Sequence, residues 1–194
     1  MAYYLVNGFW WLFSLLPLRL LYVLSDCIYY LLYYCIRYRR KVVRKNLVNS
    51  FPQKTEKEII KIEKGFYAWF CDYVVETIKL ISMSEQEMRQ RMVMEGVEDM
   101  ERSLDKCPFV FVYLGHYCNW EWITSLPLWR EYGQTHCGQL YRPLKNKAFD
   151  RLFLNLRQRF GAECISKYDA LRQIIKMKKE GMRSIIGFIS DQSP

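Results

Sequence analysis

The chain has 194 residues, 51% of them hydrophobic and 16% aromatic, which is ample for a packed core and excludes a disordered or fibrous class. A formal charge of +9 points to an anionic partner: nucleic acid, an anionic membrane surface, or an acidic protein or substrate. Seven cysteines at irregular spacings, with no CxxC pair, argue for reduced thiols rather than a disulfide framework or a zinc site.

Ala2 to Leu18 carries no charge and Leu20 to Ile36 carries only Asp26; Pro17 and Arg19 split the two runs. A secretory signal fits poorly, because no basic region precedes the apolar run and no small-residue cleavage site follows it. A 17-residue helix reaches roughly 25 Å, short of the ~30 Å hydrocarbon core. Tyr3, Tyr4, Tyr22, Tyr29, Tyr30, Tyr33 and Tyr34 suit the headgroup level. The pattern predicts a membrane-embedded anchor, either one tilted span or two dipping segments. A buried core helix pair would carry the same pattern.

Arg37 to Lys45 then holds six basic residues and no acidic one. Directly after an apolar segment, such a block marks the cytoplasmic side, held to anionic headgroups. The apolar neighbour favours this reading over nucleic acid. Residues 1–45 are thus expected to form an anchor with its basic juxtamembrane segment, and residues 46–194 an α/β domain.

Thr55 and Glu58 have capping-box form and open a helix expected over 56–81. Ser84 and Glu87 repeat the signal for a shorter helix. The uncharged run "FVFVYL" (109–114) predicts a strand buried on both faces. A helix is expected over Trp120 to Tyr132, a strand over 136–141, and a helix over 146–160 stopped by Gly161. A short strand at 162–165, a helix at 168–180 stopped by Gly181, and a buried strand at 183–190 complete the pattern. Strands alternating with helices imply a mainly parallel sheet flanked by helices. Ligands gather at the carboxyl ends of such strands, where His116 and Asp191 both sit.

"GHYCNWEW" (115–122) carries the candidate chemistry. On one continuous helix His116 and Glu121 would lie ~140° apart. Gly115 lets the chain turn after the strand, however, and Asn119 is a good N-cap for a helix starting at Trp120. His116 is then off the helix, with Glu121 able to swing back, fix its tautomer and leave the other ring nitrogen as a general base. Taken alone, the motif is a weak signal, because an isolated histidine at a strand end is more often a satisfied structural residue. Cys118 beside His116 could be a thiol nucleophile, but a buried structural cysteine is the commoner case. His136 and Cys137 show no partner spacing, no metal-ligand motif occurs, and no glycine-rich nucleotide loop supports a cofactor. "YRPLKNK" (141–147) sets Arg142, Lys145 and Lys147 beside a helix start, which suits phosphates or a developing oxyanion.

With those residues in view, "GHYCNWEW" resembles the H-x4-[DE] motif of glycerolipid acyltransferases, in the GHxxNWE form of the lipid A biosynthesis late acyltransferases. "YRPLKN", "FDRLFLNLRQRFG" and "DQSP" follow in that family's order, and "LLPLRLLYVLSD" with "YRRKVVRKNLVNSFP" is similar to its anchor. Cys118 stands where the family often has glycine. Members run on past the DQSP motif, so more of the sheet and of the acceptor surface is expected after Pro194. The resemblance implies transfer of a fatty acyl group from an acyl carrier protein thioester to a hydroxyl of a lipid A precursor. The expected setting is the cytoplasmic face of the bacterial inner membrane. His116 would be the base, Glu121 its orienting partner, and Arg142 and Lys145 the oxyanion or phosphate ligands. No metal or covalent acyl-enzyme is required. By the same resemblance Asn119 and Asp191 belong to the site, Asn119 as a cap and Asp191 oriented toward a cation such as Arg142.

Overall fold

A computed structural model describes residues 2–131, 133 and 135–191. The chain forms two compact units, one of Leu12–Lys79 and one joining the residues up to Trp11 with those from Leu80 onward.

The helical unit takes in the end of α1 (Ala2–Ser14), then α2 (Leu18–Tyr30), a π-helical turn (Leu31–Ile36), α3 (Arg40–Ser50) and α4 (Glu56–Lys79). Pro17, lacking an N–H and fixed in φ, precedes the first turn of α2. The capping box forms: the Glu58 carboxylate accepts from the Thr55 amide at 2.8 Å, and the Glu58 amide donates to the Thr55 hydroxyl at 3.4 Å. Helix α2 runs antiparallel to α4, linked by Tyr22 to Glu76 (2.8 Å), Ser25 to Asp72 (2.7 Å) and Tyr33 to Glu63 (2.9 Å). The basic block is not wholly available to headgroups. It folds as α3, where Arg40 and Arg44, one turn apart, both donate to the buried Glu63. Among the described residues, Leu18–Ile36 is the one helical stretch long and apolar enough to cross a membrane by length and composition.

The second unit contains α5 (Glu85–Arg91) and α6 (Val97–Ser103), followed by β1 (Phe109–Leu114), β2 (His136–Tyr141), α7 (Lys147–Arg157), β3 (Glu163–Ser166), α8 (Ala170–Lys179) and β4 (Ser184–Ile189). The sheet is parallel throughout, in the order β1-β4-β2-β3. Ile165, Ile186 and Met177 of α8 form a core on one sheet face. Gly161 and Gly181, both at positive φ, stop the helices before β3 and β4. Helix α6 was not anticipated from the pattern, its seven residues being too short to show a period.

The segment after β1 differs from expectation. Trp120–Trp129 is a 3-10 helix rather than an α-helix reaching Tyr132, which lies outside the described residues. Pro127 has no N–H to continue an α ladder. The Thr124 and Ser125 hydroxyls tighten the segment further by donating to carbonyls three residues back, those of Glu121 (2.8 Å) and Trp122 (2.6 Å).

Candidate active site

Parallel register determines what meets His116. Leu114 of β1 pairs with Ile189 of β4, so two residues further along both strands His116 lies beside Asp191. The His116 amide donates to Asp191 Oδ2 at 2.8 Å, and His116 Nδ1 lies 2.6 Å from Asp191 Oδ1. Gly115 eases this approach, since a Cβ there would sit 3.3 Å from Asp191 Oδ2, a tight contact. The His116 backbone amide, followed by its ring, holds the Asp191 carboxyl below the ordinary carboxylate range. An ionised Asp191 accepts from Nδ1–H, and in the neutral imidazole this leaves Nε2 with its lone pair. The ring also packs edge-on against Trp120, with centroids 4.9 Å apart.

The expected pairing of Glu121 with His116 is therefore corrected. Glu121 is 2% exposed and receives a two-pronged guanidinium from Arg157 of α7, at 2.7 and 2.6 Å. The tight 3-10 turn directs Glu121 inward, where a buried carboxylate needs a cation. Arg157 was missed from the sequence, but a signal existed. It lies four residues after Phe153 on the apolar face of α7, with its guanidinium 5.2 Å from that ring. A cation on a buried stripe calls for a carboxylate partner. Asp191 likewise turns to His116 rather than to Arg142. Asn119 precedes the 3-10 helix, as expected of a cap, but its side chain makes no capping bond. Cys118 is exposed and at φ +48°, a backbone conformation that favours glycine. His136 does find a partner, Glu163 of β3, with Nε2 2.8 Å from its carboxylate.

His116, Glu121, Arg157 and Arg142 line one cavity of about 540 Å³, together with Gln139, Tyr141 and Lys167. Arg142 opens a turn held on its far side by two bonds: the Leu144 amide donates to Asp150 at 2.7 Å, and Asn146 accepts from the Ala148 amide at 2.9 Å. Lys145 is exposed on the same turn, outside the cavity lining. Lys167 is placed by its amide, which donates to the Tyr141 carbonyl at 2.9 Å. A second cavity of about 310 Å³ shares the wall made by Trp120, Thr124, Gln139, Leu140 and Ile189. Its remaining lining is mostly apolar, including Met92, Met94, Val112, Leu114 and Ile185. Gly187 opens part of its floor.

A polar, cation-lined cavity with a held imidazole, abutting an apolar one, suits a substrate with a charged head and a hydrocarbon tail. A search of curated proteins gives no significant match. Over residues 1–193, however, the sequence matches a bacterial lipid A biosynthesis acyltransferase family, and the chain belongs to that family of acyltransferases.

Proposed function

We propose that the chain moves a fatty acyl group from an acyl carrier protein thioester to a hydroxyl of a lipid A precursor, with His116 as general base. The setting is the cytoplasmic face of the bacterial inner membrane. The observation that carries this reading is the imidazole held through Nδ1 by Asp191 in the lining of a polar cavity that abuts an apolar one.

The acceptor oxygen bonds to the thioester carbonyl carbon while its proton passes to Nε2 of His116. Asp191 holds the tautomer and stabilises the imidazolium that forms. Collapse of the tetrahedral intermediate breaks the C–S bond, and the imidazolium returns the proton to the departing thiolate. Ester and free carrier thiol result. Arg142 and Lys167 supply cations for the oxyanion or for lipid phosphates inside the cavity, and Lys145 meets headgroup charge outside it. Glu121 acts as a positioning residue through Arg157. The apolar cavity takes the acyl chain.

The test uses the membrane-reconstituted chain and its His116→Ala variant, labelled acyl carrier thioester, and three acceptors: a lipid A precursor, a lysophospholipid and an aminolipid. Acylated lipid A precursor, lost in the variant, is the expected result. Equal transfer by both proteins, or free fatty acid alone, overturns the mechanism. Product only on another acceptor overturns the lipid A assignment while keeping the chemistry.

A further inference from the structure

We propose that the stretch Leu18–Ile36 lies along the surface of an anionic bilayer, its outward stripe sunk to the acyl boundary, and does not cross the membrane. The inference rests on the membrane reading above and adds the geometry of attachment.

Length and composition permit a span, but the opposite face of the helix does not. Leu18, Leu21, Ser25 and Tyr33 are buried against α4. Along that contact Tyr22, Ser25 and Tyr33 donate to three carboxylates, those of Glu76, Asp72 and Glu63. Nine of the 24 residues of α4 are charged. The contacts run antiparallel over most of both helices. If α2 stood upright in the membrane, α4 would be carried into hydrocarbon with those carboxylates and with Lys64 and Lys79. Intramembrane charge is expensive even when partly paired. A helix with one strongly polar partner and one apolar face instead suits the interface plane.

The outward face fits that position. Leu20, Val23, Cys27, Tyr30, Leu31 and Tyr34 follow three- and four-residue spacing and are all exposed, Val23 and Tyr30 to 61% each. At the far end of this stripe stand Arg37, Arg39, Lys41 and Lys45, also exposed. Arg40 and Arg44 turn inward to neutralise Glu63, so the basic block splits into a structural pair and an outward set. The outward set gives the apolar stripe its preference for anionic lipid.

Depth measurement tests the geometry. Cys35, Cys107, Cys118 and the half-buried Cys164 are replaced by serine, leaving the buried Cys71 and Cys137. One spin label is then placed at Cys27, or at Leu20→Cys, Val23→Cys or Leu31→Cys in a Cys27→Ser background. Each protein binds vesicles of phosphatidylethanolamine and phosphatidylglycerol. The expected result is one common depth at all four positions, about 5–10 Å into the headgroup and acyl boundary. A span instead gives a gradient of about 16 Å between positions 20 and 31, which would overturn the in-plane placement while leaving membrane association standing. Failure of the unmutated chain to bind these vesicles would remove the membrane reading itself. Lys41→Glu with Lys45→Glu should weaken partition into the anionic vesicles more than tenfold. Unchanged partition would contradict the role given to the outward basic set.

Discussion

Two carboxylates, one in each unit, are held by hydrogen bonds and put to opposite uses. Glu63 in the helical unit is fully buried and takes bonds from Tyr33, Arg40 and Arg44. Burial alone would push its carboxyl up; the Arg44 and Tyr33 bonds outweigh this and hold it below the ordinary value. Asp191 in the α/β unit is exposed, and it takes bonds from the His116 amide and ring. The side chains of His116 and Asp191 remain 30% and 40% exposed. The first arrangement turns a phenol and two guanidinium groups onto one buried carboxylate. The second stops short, leaving a lone pair on Nε2 in an open cavity. Satisfied and buried reads as structure, whereas oriented and accessible reads as chemistry.

The contrast can be broken at either end. The largest effect is expected from His116→Ala, which should lower kcat by ~10²–10⁴ while leaving the melting temperature unchanged. Activity within tenfold of the parent would end its assignment as the base. Glu63→Gln should do the reverse. Leaving two guanidinium groups without their counter-charge should cost about 3 kcal/mol of stability, with turnover per folded molecule preserved; denaturant titration paired with an active-site-normalised assay separates the two. Acid titration gives the sign for the same residue. Because its carboxyl is depressed in the fold, Glu63 contributes stability above the ordinary carboxylate pKa, and that contribution is lost as pH falls through the lower folded value. The Glu63→Gln protein should therefore show a flatter acid limb. A Glu63→Gln limb as steep as the parent's would contradict this.

Asp191→Asn should cost about 10–10² in kcat with little change in KM, since it removes orientation and not a substrate contact. Gly187→Leu fills the floor of the apolar cavity; the ideal Cβ meets only Leu114 Cδ1, at 3.6 Å, and the Gly138 carbonyl, at 3.9 Å. It should shift preference toward shorter acyl donors about tenfold, and an unaltered chain-length profile would remove that cavity from the acyl path. Cys118→Gly is expected to be the mildest, with activity within twofold, because glycine accepts φ +48° without strain. Inactivation would revive a thiol mechanism.

Much of the α/β pattern was legible because strand and turn signals are local. "FVFVYL" and "HCGQLY" occupy β1 and β2 over the full predicted ranges. Partner choice was not legible, because it depends on strand order. His116 and Asp191 both followed strand ends in sequence, but only the placement of β4 between β1 and β2 sets them side by side. Glu121 was misdirected by treating Trp120 onward as an α-helix, where Pro127 and two back-bonding hydroxyls impose a tighter turn. The division of the basic block was readable in principle. Arg40 and Arg44 share a helical face at four-residue spacing, but their common partner Glu63 lies far along the chain.

The most direct test concerns which carboxylate holds His116. The chain has only two histidines, so ring ¹⁵N spectra can be assigned with one His136→Gln variant. In the parent and in Glu121→Gln, His116 should be the Nδ1–H tautomer at neutral pH, and in Asp191→Asn that preference should be lost. A tautomer that survives Asp191→Asn but collapses in Glu121→Gln would contradict the account.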